Sequence, residues 1–258
     1  MIDLKTPKEI ESMRVGGKIL SDVMWEVVAQ VKPGITEIEI DRLAEKGIVS
    51  RGGEPGFKKV PGYKHTICVS TNDVVVHGIP GSYKLKAGDV IGIDCGVFYQ
   101  GFHTDMSQTL RVRSQMANGK WQIDKVDKFL ENGERALNEA IKVAIVGNHI
   151  GHISKTIQDI VEKEGGYSVV RSLIGHGVGR ELHEEPEVPG FLKGPIEKTP
   201  KLIVGMTIAI EVIYNMGKSQ VMYGNDDGWT ISSGDGSLSG VFERTVAITQ
   251  QGPEVLTP

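Results

Sequence analysis

The sequence predicts an α+β fold of two similar halves, each a pair of helices followed by strands. Three observations predict it. Capped, helix-periodic apolar runs occur before residue 53 and again between 123 and 166, and strand-like runs follow each pair. Gly88-Asp89-Val90-Ile91-Gly92-Ile93-Asp94 and Gly205-Met206-Thr207-Ile208-Ala209-Ile210-Glu211 share the pattern Gly-x-x-Ile-x-Ile-acid. Each copy ends an apolar strand on a carboxylate, so two halves folded face to face would bring the acids together in the middle. No Pro/Ser-rich linker separates the halves, and residues 1–258 are therefore expected to form one domain.

The elements follow in order. Thr6-Pro7-Lys8-Glu9 reads as a capping box with proline in the first turn, and Ile10, Met13, Gly17, Leu20, Met24, Val27 and Val31 recur at helical spacing until Lys32-Pro33-Gly34. A second box, Thr36-Glu37-Ile38-Glu39, opens a shorter helix through Ile40, Leu43, Ala44 and Ile48, ended by Arg51-Gly52-Gly53. Strands are expected at His65–Val69 and Val74–His77, with Thr71-Asn72-Asp73 turning between them. Val90–Tyr99, Gln100-Gly101 and Phe102–Arg113 form a hairpin signal. Two further helices are expected over about Ile123–Val146 and Ile153–Glu164, closed by Gly165-Gly166. Met206–Tyr214 and Gly240–Thr249 are the clearest later strands.

At 258 residues, with 39% hydrophobic and 24% charged, the chain has ample core and the composition excludes a disordered or fibrous protein. The formal net charge of −4 gives no general basic field, so neither nucleic-acid nor membrane binding is expected. No apolar run approaches a membrane span, and the polar helix start directly after Met1–Lys5 does not resemble a secretory leader. Two cysteines, Cys68 and Cys95, are too few for a disulfide framework, which fits a cytoplasmic location.

Carboxylates inside apolar strands are costly unless paired, protonated or bound to metal. Asp94, Glu211 and Glu243 each sit in such a strand. With the hairpin turning at Gln100-Gly101, Asp94 opposes Ser107 and shares its face with Asp105 as a diagonal neighbour. Acids that close repel unless a cation separates them, and a divalent metal is the natural solution. His176, between glycines in Ile174-Gly175-His176-Gly177-Val178-Gly179, supplies a nitrogen donor, while His183 and His77 stand in Leu182-His183-Glu184-Glu185-Pro186 and His77-Gly78-Ile79-Pro80. A lone histidine is more often structural, and His65, His103, His149 and His152 are read that way. Oxygen donors with one imidazole suit Mn, Fe or Co, with Zn also accommodated, as in two-metal hydrolases.

These motifs, in this order, resemble the type I methionine aminopeptidases from the first helix to about Gln251. The resemblance implies the pita-bread (creatinase/aminopeptidase-like) fold: two pseudo-symmetric halves with helices over a curved antiparallel sheet. It implies two divalent ions held by Asp94, Asp105, His176, Glu211 and Glu243, with Asp105 and Glu243 bridging. His77 and His183 would contact the scissile peptide, and Glu211 would also act as general base. Tyr63, Cys68 and Trp229 match positions around the methionine side chain. Val60 and Leu182 stand where the family carries bulkier groups, and Arg244 replaces the usual histidine after the glutamate. On a strand, Arg244 and Cys95 should point away from the metals.

The implied activity is removal of the initiator methionine from nascent chains with a small second residue. Transient contact with the ribosome and a monomeric state are implied with it, and the short N-terminus suggests a bacterial or mature organellar form. An X-Pro aminopeptidase is the nearest alternative, although such relatives usually carry a large N-terminal domain. Type II enzymes carry a long insertion that does not fit between Glu184 and Ile210. A non-catalytic binding paralogue would not need all five metal-binding side chains.

Overall fold

The computed structural model describes residues 2–113 and 124–258. Among the described residues four α-helices, α1 (Pro7–Gln30), α2 (Glu37–Ser50), α3 (Lys125–Lys142) and α4 (Ile150–Gln158), cover the sheet. The strands are β1 (Glu54–Pro55), β2 (Ile67–Thr71), β3 (Val74–Val76), β4 (Val90–Tyr99), β5 (Phe102–Arg111), β6 (Ser168–Val169), β7 (Gly175–Gly177), β8 (Glu184–Val188), β9 (Thr207–Asn215), β10 (Val221–Tyr223), β11 (Ile231–Ser233), β12 (Ser239–Thr249) and β13 (Gly252–Val255).

The first two helices start where their capping boxes predict. The Thr6 amide donates to Glu9 Oε2 at 2.8 Å and the Thr36 amide to Glu39 Oε2 at 2.8 Å, and each threonine hydroxyl accepts the amide three residues on. The start of the third helix at Ile123 lies outside the described residues; α3 runs from Lys125, with Asp124 as its cap. The fourth helix starts at Ile150, three residues before the expected Ile153. His152 Nδ1 accepts the His149 amide at 3.0 Å, a box built from histidines rather than from the usual cap residues. Beyond Gln158 the chain widens into a π-helical turn over Asp159–Glu164 before Gly165.

The large sheet is antiparallel, with the order β1-β4-β5-β12-β9-β7-β8, and β2, β13 and β6 joining at β4, β12 and β9. The hairpin register is the expected one, Tyr99 opposite Phe102 and Asp94 opposite Ser107, around a turn in which Gln100 and Gly101 both have positive φ. The two strands on either side of Asn72-Asp73 differ from expectation. The first begins at Ile67, leaving His65 and Thr66 outside, and the second joins a separate sheet of order β10-β11-β3.

Strand alternation divides the sheet into two faces. Ile91, Ile93, Cys95 and Val97 of β4 pack with Leu20, Met24, Ile40 and Ile48 under α1 and α2. Ile208, Ile210 and Val212 of β9 pack with Phe129, Leu137 and Ile153 under α3 and α4. Each half thus has its own helix-side core, and the echoed Gly88 and Gly205 both enter their strands at positive φ, 98° and 92°. The residues between these apolar positions, Asp94 and Glu211 among them, face away from the helices. Among the described residues no helix is long and apolar enough to cross a membrane.

The last residues lie against α1, where Gly17 leaves room for the Leu256 carbonyl; a Cβ at 17 would overlap that backbone group. A helical Gly→Ala change ordinarily stabilises by about 1 kcal/mol. Gly17→Ala should instead destabilise by about 1–3 kcal/mol through overpacking, measurable by urea unfolding.

Candidate metal centre

Register across five strands builds the site. Cys68 of β2 pairs with Asp94 of β4, Asp94 with Ser107 of β5, Ser107 with Glu243 of β12, and Glu243 with Glu211 of β9. Cross-strand partners point to the same face, so this row runs over the side turned away from the helices. Asp105 lies two residues from Ser107 and returns to that face. His176 of β7 pairs with Ala209, two residues from Glu211. Asp105, His176 and Glu243 offer donor atoms within 4.8 Å of one another, and His176 Nε2 lies 3.3 Å from Glu211 Oε1.

The junction of the halves, where β5 meets β12, is fastened by hydroxyls. The Thr245 hydroxyl donates to the Asp105 carbonyl and accepts its amide, both at 2.8 Å. Thr109 does the same to Val241, at 2.6 and 2.9 Å. The Ser107 hydroxyl donates to Glu243 Oε2 at 3.0 Å, a contact that only the long-range pairing of β5 with β12 creates. Arg244 points to the helix side, as the strand parity requires. Its guanidinium donates to the Ser107 carbonyl at 3.1 Å, the Glu243 carbonyl at 2.7 Å and Gln108 Oε1 at 2.9 Å, with its carbon 5.6 Å from the Trp25 ring centre. It thus clamps from behind the residue pair whose side chains meet in front. Cys95 also faces the helices and lies in their apolar core.

The acids line a cavity of about 570 Å³, together with His77, His176 and His183. No lysine or arginine is among its described lining residues. Burial raises all four carboxyl pKa values, Asp94 to about 6 and Asp105, Glu211 and Glu243 well above the usual range. Neighbouring carboxylates add to the rise at the last three, whereas the Ser107 hydroxyl and Cys95 amide partly offset it at Asp94. Burial also lowers the imidazoles, His176 to about 3, with His183 adding to the effect. The His176 Nδ1 lies 2.8 Å from the Gly177 carbonyl; a proton there fixes the ring and leaves Nε2 free toward Glu211. Buried Asp94 Oδ1 and Glu243 Oε1 have no hydrogen-bond partner. Orphaned carboxylate oxygens beside a neutral imidazole are the donor set a hard or borderline divalent cation needs.

His77 and His183 line the same cavity, and burial lowers both pKa values. The His183 and His176 ring centres are 4.3 Å apart. His77 adopts φ 59°, a left-handed conformation that costs a non-glycine residue roughly 1–2 kcal/mol. The Gly78 carbonyl accepts the Val69 amide at 2.9 Å, and any side chain at 78 would overlap the Val69 carbonyl, so the backbone beside His77 is fixed. At the β2 end the cavity becomes an apolar recess of Phe57, Tyr63, Cys68 and Leu182, with Val60, Ile79 and Trp229 packed against it. Tyr63 and Trp229 meet edge to face at 5.0 Å, and the Tyr63 hydroxyl donates to the Ile67 carbonyl at 2.8 Å. The sequence reading did not anticipate Phe57 in this recess; its neighbours Gly56 and Lys58 give no periodic signal for it.

Of the remaining histidines, His65 approaches Asp41 at 3.8 Å, and His149 and His152 cap α4. His103 is buried against Phe98 with its Nδ1 unpartnered, and burial pushes its pKa down to about 4.

The sequence pattern of metallopeptidase family M24 matches residues 11–250. The chain is 44% identical to a methionine aminopeptidase of Clostridium perfringens and 41% identical to methionine aminopeptidase 1 of Bacillus subtilis. Each alignment covers 100% of this chain and 99% of the relative. The crystal structure of a methionine aminopeptidase from Thermotoga maritima is similar with a TM-score of 0.92 at 37% identity, covering 100% of this chain and 99% of that one. A prolidase of Pyrococcus furiosus, with a TM-score of 0.75 at 23% identity and covering 99% of this chain and 65% of that one, shares the pita-bread fold.

Burial makes the carboxyl groups keep protons to higher pH than usual, and a divalent cation competes with those protons, whereas burial keeps His176 neutral. Metal affinity of the stripped protein should therefore rise from pH 5 to pH 8, with protons released from carboxyls. Titration calorimetry in two buffers of different ionisation enthalpy measures that release.

Proposed function

The chain belongs to the methionine aminopeptidases of metallopeptidase family M24, and from that premise we propose that it hydrolyses the peptide bond after an N-terminal methionine at the row of acids described above. The observation that carries this reading is the continuity of the row with the apolar recess. Cys68 sits directly across from Asp94, so a side chain filling the recess leaves its own backbone over the carboxylates.

Asp94, Asp105, His176, Glu211 and Glu243 would hold divalent ions. Four carboxylates with a neutral imidazole carry four negative charges, which two divalent ions balance; this supports a dinuclear centre. When bound, such ions supply Lewis-acid polarisation and lower the pKa of nearby water. Mn, Fe, Co and Zn all suit the donor set.

The chain's own residues do the rest. Tyr63, Cys68, Trp229 and Leu182 enclose the first side chain, favouring an unbranched thioether through apolar and sulfur–aromatic contacts. Val60 and Leu182 leave the recess wider than aromatic groups would. Glu211 takes a proton from the attacking water and returns it to the amine as the C–N bond breaks. His77 and His183, held neutral by burial, donate N–H hydrogen bonds to the scissile carbonyl oxygen as it gains charge, or to the departing amide. The natural substrates in this reading are nascent-chain N-termini with a small second residue, and residues 1–258 act as one catalytic domain.

Metal-stripped protein refilled separately with Mn, Fe, Co or Zn should release methionine from Met-Ala-Ser and leave Leu-Ala-Ser and Ala-Pro-Ala intact. Release from the other two peptides would move the specificity toward a broader or X-Pro enzyme. Absence of turnover with metal bound would overturn the hydrolase reading. Glu211→Ala should lower kcat by about 10²–10⁴-fold in the same assay. His183→Ala should cost about 10²–10³-fold in kcat while leaving the metal content, read by elemental analysis, at the wild-type level.

A further inference from the structure

Lys5 is buried, with 1% of its side chain exposed, although lysine is seldom found fully inside a protein. Its ammonium pairs with the carboxylate of Glu184, a residue of the cavity lining directly after His183, and donates to the Asp3 carbonyl at 3.0 Å. The pairing is built into the fold. The Lys5 amide donates to the Gly205 carbonyl at 2.7 Å, and a Cβ at Gly205 would come within 2.9 Å of the Lys5 carbonyl oxygen. On the other side a Cβ at Gly179 would overlap the end of the Lys5 side chain. Two glycines therefore form the slot.

Residues 178–183, between β7 and β8, form neither helix nor strand, yet they carry Leu182 and His183 into the cavity. The loop is anchored at its start, where the Val178 amide donates to the Thr207 carbonyl at 3.1 Å and the Val178 carbonyl accepts the Thr207 hydroxyl at 2.5 Å. Glu184 Oε1 accepts the Glu181 amide at 3.1 Å, the Glu181 carbonyl accepts the Gly179 amide at 3.0 Å, and the Gly179 carbonyl accepts the His103 amide at 2.6 Å. Arg180 reaches Glu9 and, at 3.6 Å, Asp3. Three of the first nine residues thus grip this loop. Burying a lysine–carboxylate pair gains little net stability once desolvation is counted, so its effect lies in fixing geometry.

We propose that Lys5 is a positioning residue for the hydrolysis: through Glu184 it sets the loop 178–183, and with it the placement of His183 and Leu182. This rests on the aminopeptidase reading. Without the ammonium, the largely buried Glu184 carboxylate stands uncompensated, loses its fixed rotamer and releases the Glu181 amide it holds.

The test compares Lys5→Met, Glu184→Gln and the double variant in the full chain loaded with Mn. It measures kcat and KM on Met-Ala-Ser, metal content, and hydrogen–deuterium exchange of the 178–184 segment. Lys5→Met should lower kcat by about ten- to hundred-fold, with metal content unchanged and faster exchange in that segment. Added to Glu184→Gln, it should cost no further kcat, because the two act through one contact. Multiplying effects, or a kcat within about two-fold of wild type in Lys5→Met, would overturn the proposal. If Lys5→Met does not fold, the isosteric Glu184→Gln decides, and unchanged kcat and exchange there would also overturn it. A wild-type protein that binds Mn and turns over nothing would instead sink the aminopeptidase reading, and the exchange data would still decide the role of Lys5.

Discussion

Asp94, Asp105, Glu211 and Glu243 share one buried face of the sheet, and the described cavity lining opposes them with no lysine or arginine. Two unit charges 4 Å apart repel by about 1 kcal/mol in water and about 4 kcal/mol at an effective dielectric of 20. A sheet that gathers four such groups must resist being pushed apart along the row. The halves meet at the seam between β5 and β12, where Glu243↔Ser107 and Arg244↔Met106 are in register. Thr109 and Thr245 bridge that seam with hydroxyls, and Arg244 crosses it from the helix side. Two threonines and an arginine thus fasten the sheet where the acids of the two halves meet.

The division into halves serves the same end. Each half has a helix-covered core that would hold its hairpin or strand pair rigid alone. Neither half carries the complete row: β2, β4 and β5 bring Cys68, Asp94, Asp105 and Ser107, while β7, β9 and β12 bring His176, Glu211 and Glu243. A divalent cation among these donors therefore joins the halves as well as neutralising them, which links metal binding to the stability of the seam.

Much of this was legible in the sequence where short-range chemistry decides it. The two-residue turn at Gln100-Gly101 sets the hairpin register, and with it the shared face of Asp94 and Asp105. Capping boxes mark the starts of α1 and α2, and strand parity sends Cys95 and Arg244 to the helix side. What escaped depends on long-range pairing. Nothing near Glu243 announces that it faces Ser107 on one side and Glu211 on the other. The start of α4 was missed because His149 and His152 form a cap that composition does not signal. The strands flanking Asn72-Asp73 look like neighbours but join different sheets, because the second finds β11, far along the chain. The pairing of Lys5 with Glu184 spans 179 positions and leaves no local trace.

The left-handed backbone at His77 bears on how the protein divides its free energy between folding and chemistry. A residue with φ 59° next to a glycine whose position leaves no room for a side chain beside the Val69 carbonyl has little freedom in its backbone. The backbone that carries the imidazole is therefore set before any peptide arrives. The entropy of ordering it is lost once, during folding, and is not lost again at each turnover. A more relaxed backbone at this position would give a more stable chain whose histidine wandered, and the difference would surface in rate and not in affinity.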